Sequence, residues 1–114
     1  MLRPILLGTL CLVSAFGLSP GAALADGDAK AGAQKTRTLQ CQNCHGKDGL
    51  SKQAGAPNLA GQAQDYLIAA LNAYRSGERK NDMMNTIAQP LKDADIADVA
   101  AYYAGIEISV KTPP

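Results

Sequence analysis

The amino-acid sequence predicts an all-α domain in which three main helices are joined by irregular loops. Segments 63–76 and 93–104 place apolar residues at the three- and four-residue spacing of an amphipathic helix. A third segment, 28–41, contains helix-favouring alanines and ends at the first of two cysteines, which a histidine follows. The connecting segments are rich in glycine and proline, and no strand-rich stretch interrupts the helical pattern.

Residues 1–25 have the composition of a secretory signal peptide. Arg3 is the only charged residue in this segment, a mostly apolar run follows it, and residues 23–25 supply the small side chains that a signal peptidase reads. The apolar run is interrupted by glycine, serine and proline and is shorter than the roughly 20 residues that a membrane span requires. We therefore expect cleavage after Ala25 in preference to a transmembrane anchor, leaving a domain of residues 26–114.

The first predicted helix covers about residues 28–41. Asp28 is a suitable N-cap because its carboxylate can accept hydrogen bonds from backbone N–H groups of the first turn. The alanines that follow it favour the helix. Residues 46–61 contain four glycines and Pro57, and we expect an irregular wrap there with no regular element.

The second and third predicted helices each carry one apolar stripe. The second covers about residues 63–76 and ends at Gly77, and the third covers about residues 93–104 and ends at Gly105. Aspartates in the first turn of the third helix suit the helix dipole. The stripe residues are Tyr66, Leu67, Ala70, Leu71 and Tyr74 in the second helix and Ile96, Val99, Ala100 and Tyr103 in the third.

Two further segments are predicted to be irregular. Residues 77–91 form a loop that bears the adjacent Met83 and Met84 and ends at Pro90-Leu91. Residues 106–114 form a C-terminal tail, which is either frayed or docked on another surface.

Residues 41–45 read Cys-Gln-Asn-Cys-His, and C-x-x-C-H is the signature of covalent c-type haem attachment. In that chemistry two thiols add to the two vinyl groups of one porphyrin, and the next imidazole binds the iron. Zinc is excluded because the sequence has no other histidine and only one other cysteine, Cys11. A thioredoxin-like dithiol stays an alternative, although such a motif is usually found near a βαβ pattern.

The net charge of the chain argues against a nucleic-acid partner. Of the eleven basic residues only Arg3 lies in the predicted signal, so ten basic and ten acidic side chains remain in residues 26–114. A near-neutral domain of this kind does not indicate a nucleic-acid binder. The charges form either a dipole that steers partners or an ordinary mixed surface. The residues that would make the dipole are Lys30, Lys35, Arg37, Lys47 and Lys52 against Asp93, Asp95 and Asp98.

The chain resembles a class I cytochrome c, and in particular the small bacterial monohaem cytochromes that are similar to single halves of the dihaem cytochromes of that class. The resemblance covers about residues 27–104. The matching positions are Gly27-Asp28-Ala29, Gly32, Cys41 to Gly46, Asp48-Gly49, Pro57 to Gln62, Tyr66-Leu67, Gly77, Arg79, Met84, and Leu91 through Asp95-Ile96-Ala97-Asp98 to Ala101-Tyr102-Tyr103.

That resemblance implies a class I cytochrome c fold around one covalently attached haem c. It implies thioether bonds at Cys41 and Cys44 and axial iron ligation by His45 and Met84. It also implies that the Pro57 carbonyl accepts a hydrogen bond from the second ring nitrogen of the histidine.

The methionine ligand follows from a family spacing. Counting seven residues back from Leu91, which precedes the last helix, gives Met84. Met83 then matches a position that various residues fill. The alternative is that both methionines only fill gaps in the core.

A histidine and methionine pair leaves no open position on the iron, which favours electron transfer over oxygen chemistry. The resemblance thus implies a periplasmic one-electron carrier and not an enzyme. Its partners would be redox proteins docking at the exposed haem edge, with no membrane span after signal removal. One alternative is a haem subunit that accepts electrons from a flavin or molybdenum catalytic subunit. A ligand-binding or peroxidase-like protein would instead need an absent or labile sixth ligand.

Overall fold

The structure is a computed structural model, and it describes residues 26–114, so the predicted signal peptide lies outside the described residues. The described part of the chain contains helices, turns and loops and no strand, which confirms the all-α class. No helix within this range is long and apolar enough to cross a bilayer. The five helices are α1 (Ala29–Thr38), α2 (Cys41–His45), α3 (Gln64–Ser76), α4 (Asp82–Ala88) and α5 (Asp93–Ala104).

The first predicted helix is divided in two. Asp28 caps α1 as expected, since its carboxylate accepts backbone N–H groups of the first turn at 2.8 and 3.1 Å. Helix α1 ends at Thr38, and Gln40 then adopts a left-handed conformation with φ of 63°. The prediction of one helix over 28–41 is therefore wrong at its end. The left-handed residue breaks the helix, so that α2 carries the C-x-x-C-H segment as a separate turn.

The segment 77–91 was predicted as a loop, and it contains helix α4. Gly77 ends α3 with φ of 79°, as expected. Asn81 then caps α4, because its side-chain oxygen accepts the N–H of Met84 at 3.0 Å. Both methionines consequently lie in the first turn of a seven-residue helix and not in an irregular loop.

Helix α5 lies at the centre of the domain and packs against α1 and α3. Its bounds agree with the prediction, and so does its buried stripe. Leu67 of α3 packs into the same core. The buried stripe of α5 consists of Ile96, Val99, Ala100 and Tyr103.

The backbones of α1 and α5 approach most closely at Gly32. A methyl group at this position would overlap the Asp98 carbonyl oxygen and would lie 2.8 Å from Cβ of Tyr102. Glycine is thus required for the two helices to approach this closely. One turn further along α1, Thr36 is completely buried.

Lys35 ties the same pair of helices together by charge. Its Nζ lies 2.8 Å from a carboxylate oxygen of Asp95 and 2.7 Å from one of Asp98. Hydrogen bonds to these carboxylates raise the pKa of Lys35, and its ammonium lowers the pKa of both aspartates. The fold thus places one basic residue of the first helix directly on the acidic start of the last one, which favours the mixed-surface alternative at this point.

We expect Asp98→Asn to lower the free energy of unfolding of the holoprotein by about 1 kcal/mol at pH 7, the scale of a partly exposed ion pair. The asparagine can still accept the N–H of Asp28, so mainly the charge is lost. Since folding lowers the pKa of Asp98, its contribution is present above the ordinary value of 3.8 and disappears as the pH falls through the folded-state value.

Urea unfolding of the wild type and the variant from pH 7 down to about pH 3 measures this difference. Glu107→Gln, which removes one exposed negative charge from the tail, is the control. A difference for Asp98→Asn that is equally large at both ends of the pH range would contradict the ion-pair explanation.

Candidate haem crevice

A cavity of about 550 Å³ is bounded by α2, α3, α4, α5 and the wrap of residues 53–59. Among residues 26–114, Arg79 and His45 are the only lining residues whose side chains can carry a positive charge, and no aspartate or glutamate of this range lines the cavity. A largely apolar wall with a few placed polar groups is typical of a cofactor pocket. The larger apolar side chains of the wall are Leu59, Leu67, Leu71, Ile87, Leu91 and Val99.

His45 lines this cavity and is only 7% exposed. Its Nδ1 lies 2.8 Å from the carbonyl oxygen of Pro57. Because a carbonyl can only accept, Nδ1 carries the proton in this contact, and in the neutral ring Nε2 then has the free lone pair. Histidines that bind metals through one nitrogen commonly donate the other N–H to such an oxygen, so the ring has the tautomer of an iron ligand.

The wrap brings Pro57 back to the histidine. The backbone N–H groups of Leu59 and Ala60 both donate to the Gly49 carbonyl, at 2.7 and 3.1 Å. At the end of α2, the hydroxyl of Tyr103 donates to the Gly46 carbonyl at 3.2 Å. These contacts hold both ends of the loop that contains the proline.

Cys41 and Cys44 lie on the cavity wall as free thiols. Their three-residue spacing places both side chains on one face of α2. Burial raises the pKa of the Cys41 thiol to about 11, so its surroundings favour a neutral sulfur. A thioether is neutral, whereas a zinc site would require the thiolate. The donor set therefore fits covalent haem attachment.

Helix α4 brings both methionines to the cavity wall, and they differ in exposure. Met83 is 61% exposed, whereas Met84 is half-buried. Successive residues of a helix point about 100° apart, so the two side chains cannot have the same surroundings.

The sequence did not assign a role to two polar residues beside the crevice. The guanidinium of Arg79 lies 4.8 Å above the ring of Tyr74 and 3.3 Å from the hydroxyl oxygen of Tyr66. The hydrogen bond that Arg79 donates to the hydroxyl oxygen of Tyr66 raises the pKa of Arg79. Asn85, the second of these residues, bonds to the end of α3. Neither role has a short-range signal, because Arg79 contacts residues of α3 and Asn85 contacts the end of α3 and the segment before α4.

An all-helical domain with a C-x-x-C-H motif on an apolar crevice defines a c-type haem protein of class I. The family model of cytochrome c matches residues 29–105. The chain belongs to the cytochrome c family.

Individual relatives agree with this class. The chain is 48% identical over 84 residues to cytochrome c-554(548) of Halomonas halodenitrificans, covering 71% of this chain and 99% of that protein. It is 42% identical over 78 residues to the thiosulfate dehydrogenase electron acceptor of Stutzerimonas stutzeri, covering 66% of this chain and 36% of that protein. The crystal structure of reduced recombinant cytochrome c4 from Pseudomonas stutzeri matches with a TM-score of 0.66 and 38% identity, covering 74% of this chain and 48% of that one. The chain thus spans about half or less of these two longer relatives.

The chain carries one haem c, attached through Cys41 and Cys44. The predicted family, the all-α class I cytochrome c fold and the haem c cofactor are confirmed, and electron transport is the process to which these relatives belong. The predicted ligation by His45 and Met84, and the function of the Pro57 contact, stay predictions.

Proposed function

We propose that the chain is a one-electron carrier whose haem iron is bound by Nε2 of His45 and the thioether of Met84. The observation that carries this proposal is that one apolar crevice holds a buried histidine with a free Nε2 and a half-buried methionine beside the haem-binding cysteines. Haem c supplies one-electron chemistry when bound. If both groups bind the iron, a substrate would have to displace one of them, which favours electron transfer over catalysis by this chain.

The hydrogen bond between His45 and Pro57 supports the role of the histidine. A fixed Nδ1–H donor to a backbone carbonyl holds the ring in one orientation and raises its basicity. Because the acceptor is a backbone atom, this contact does not depend on the rotamer of a second side chain.

We also propose that Arg79 binds the carboxylates that every haem carries. Arginine pairs well with carboxylates, and in the described part of the chain Arg79 is one of two lining residues able to be cationic, the other being the proposed ligand His45. The Tyr66 hydroxyl and the Tyr74 ring hold the guanidinium in place.

The place of action and the partner belong to the same proposal. The signal peptide predicted over residues 1–25 would export the domain of residues 26–114 to the periplasm. Electrons would pass to and from other redox proteins at an exposed haem edge. The name of one relative, thiosulfate dehydrogenase electron acceptor, suggests a dehydrogenase of an inorganic sulfur compound as one electron donor.

A second candidate function is a haem subunit bound to a flavin or molybdenum enzyme. The tail favours it, because Ile108 and Val110 lie beyond the family match and are 55% and 79% exposed. Exposed apolar side chains on a tail can dock on a larger partner.

Replacement of the two methionines tests the sixth ligand. We expect Met84→Ala to remove the weak near-infrared band of sulfur bound to ferric iron and to lower the reduction potential, because a thioether favours ferrous iron. We expect Met83→Ala to preserve both. Absorption spectra and potentiometric titration of the two holoproteins measure this. The opposite result would assign Met83 as the ligand, and an unchanged band in both variants would refute sulfur ligation.

A second experiment tests Arg79. We expect Arg79→Gln to lower the reduction potential by an amount equivalent to about 1 kcal/mol, because a nearby positive charge opposes oxidation of the iron. We also expect the potential to vary more with pH, since an unpaired haem carboxylate gains a proton more easily. Lys80→Gln is the matched control, as this neighbouring cation does not line the cavity. Equal shifts in both variants would contradict the pairing.

Association separates the carrier from the subunit. A carrier elutes as a monomer from its native source, and its rate of electron exchange depends on ionic strength, because surface charges within a Debye length guide the encounter. Gel filtration and stopped-flow kinetics at low and high salt measure both properties. Elution only with a larger catalytic chain, without which no electron transfer occurs, would establish the subunit instead.

A further inference from the structure

We infer that Asn85 is a positioning residue whose side chain fastens the first turn of α4 to the end of α3 and thereby holds the sulfur of Met84 at the iron. This inference rests on the proposed function, because it takes Met84 as the sixth ligand. It adds a separate claim, namely that a neighbouring polar side chain controls how easily this ligand is displaced.

The side-chain amide of Asn85 makes three hydrogen bonds, all to backbone groups. The nitrogen donates to the carbonyl oxygen of Tyr74 at 2.7 Å and to that of Arg79 at 2.8 Å, and the oxygen accepts the N–H of Asn81 at 2.8 Å. Two acceptors and one donor fix the orientation of the amide, since the flipped group would place its oxygen against two carbonyls. One side chain thus joins α4, the end of α3 and the segment between them.

The partners explain why this site needs an amide. Tyr74 lies in the last turn of α3, and its carbonyl oxygen accepts the N–H of Gly77 at 3.2 Å and, with its remaining capacity, the Asn85 amide. The side-chain oxygen of Asn81, in turn, accepts the N–H of Met84 at 3.0 Å. The backbone of the methionine therefore lies between two asparagines, one of which caps the helix while the other attaches it to α3.

Helix α4 depends on such contacts because it has only seven residues. Helices much shorter than about 12 residues are not stable by themselves, so tertiary contacts must set the position of α4. Its two ends are held differently. At the C-terminal end Ala88 is completely buried, and the following Leu91 is buried with its carbonyl bound to Arg75 at 2.9 Å.

The N-terminal end of α4 lacks a buried anchor of that kind. Asp82 and Met83 are exposed, and Met84 itself is only half-buried. The hydrogen bonds of Asn85 are therefore the main attachment of this turn to α3. Their removal would loosen the methionine while the other end of α4 and the core stay packed.

A loosened methionine is displaced more easily by an added ligand. The experiment titrates ferric holoprotein with imidazole and follows the loss of the near-infrared sulfur band. We expect Asn85→Ala to raise the apparent imidazole affinity about tenfold or more, the equivalent of one or two lost hydrogen bonds. We expect Asn85→Asp to act in the same direction, because a carboxylate can accept from Asn81 and cannot donate to the two carbonyls.

Two controls distinguish positioning from general destabilisation. Thr86→Ala removes a hydrogen bond within α4, from the threonine hydroxyl to the Asp82 carbonyl at 2.9 Å, and leaves the attachment to α3 intact. Asp98→Asn weakens the contact of α1 with α5, away from the methionine. Both are expected to keep the imidazole affinity of the wild type.

The outcomes separate the two claims. If the wild type has the sulfur band and Asn85→Ala leaves the imidazole affinity unchanged, this inference is wrong and the proposed function stands. The same holds if Asp98→Asn raises the affinity as much as Asn85→Ala does. A wild type without the band would refute the proposed function, and this inference with it. If Asn85→Ala yields no holoprotein, Asn85→Asp decides by the same criterion.

Discussion

The close contact of α1 with α5 at Gly32 is the constraint on which the rest of the structure depends. It fixes α5 so that the hydroxyl groups of Tyr102 and Tyr103 reach the carbonyls of Lys47 and Gly46, at 2.6 and 3.2 Å. Those carbonyls belong to the chain immediately after the C-x-x-C-H segment. A backbone contact between the first and last helices is therefore transmitted, through two tyrosines, to the end of the helix that carries the histidine.

The two sides of the crevice are built by different means. On the side of His45, short loops, glycines and backbone carbonyls hold the imidazole, and its hydrogen-bond acceptor is itself a backbone atom. On the side of Met84, a short helix is held by the side chains of Asn81 and Asn85. Backbone scaffolds tolerate substitution of neighbouring side chains, whereas a side-chain attachment is lost with one residue. We therefore expect single substitutions to change the surroundings of Met84 more readily than those of His45.

The sequence predicted those parts of the fold that short-range patterns determine. Helix α5 and its buried stripe have the bounds that apolar spacing gave, and Gly77 ends α3 as predicted. The break at Gln40 has no such signal, because a glutamine rarely adopts the left-handed conformation that it has here. Helix α4 was missed because two turns show little periodicity, although the Asn81-Asp82 pair is a recognisable helix start.

The residues of the candidate site also fall into those that a short-range pattern predicts and those that it does not. The motif of residues 41–45 specifies the cofactor from five adjacent positions, and the proposed methionine followed from spacing within a family. The placement of Arg79 and Asn85 depends on partners in other elements, which no local pattern reveals.

The absence of aspartate and glutamate from the lining of the crevice, among residues 26–114, has a consequence for the direction of electron flow. Oxidation of the iron adds a positive charge, and a low-dielectric wall without carboxylates does little to stabilise it. Such a wall favours the ferrous over the ferric form of a bound haem and so raises its reduction potential. The domain would then take electrons readily and give them up only to an acceptor of higher potential, which makes each transfer depend on meeting the right partner.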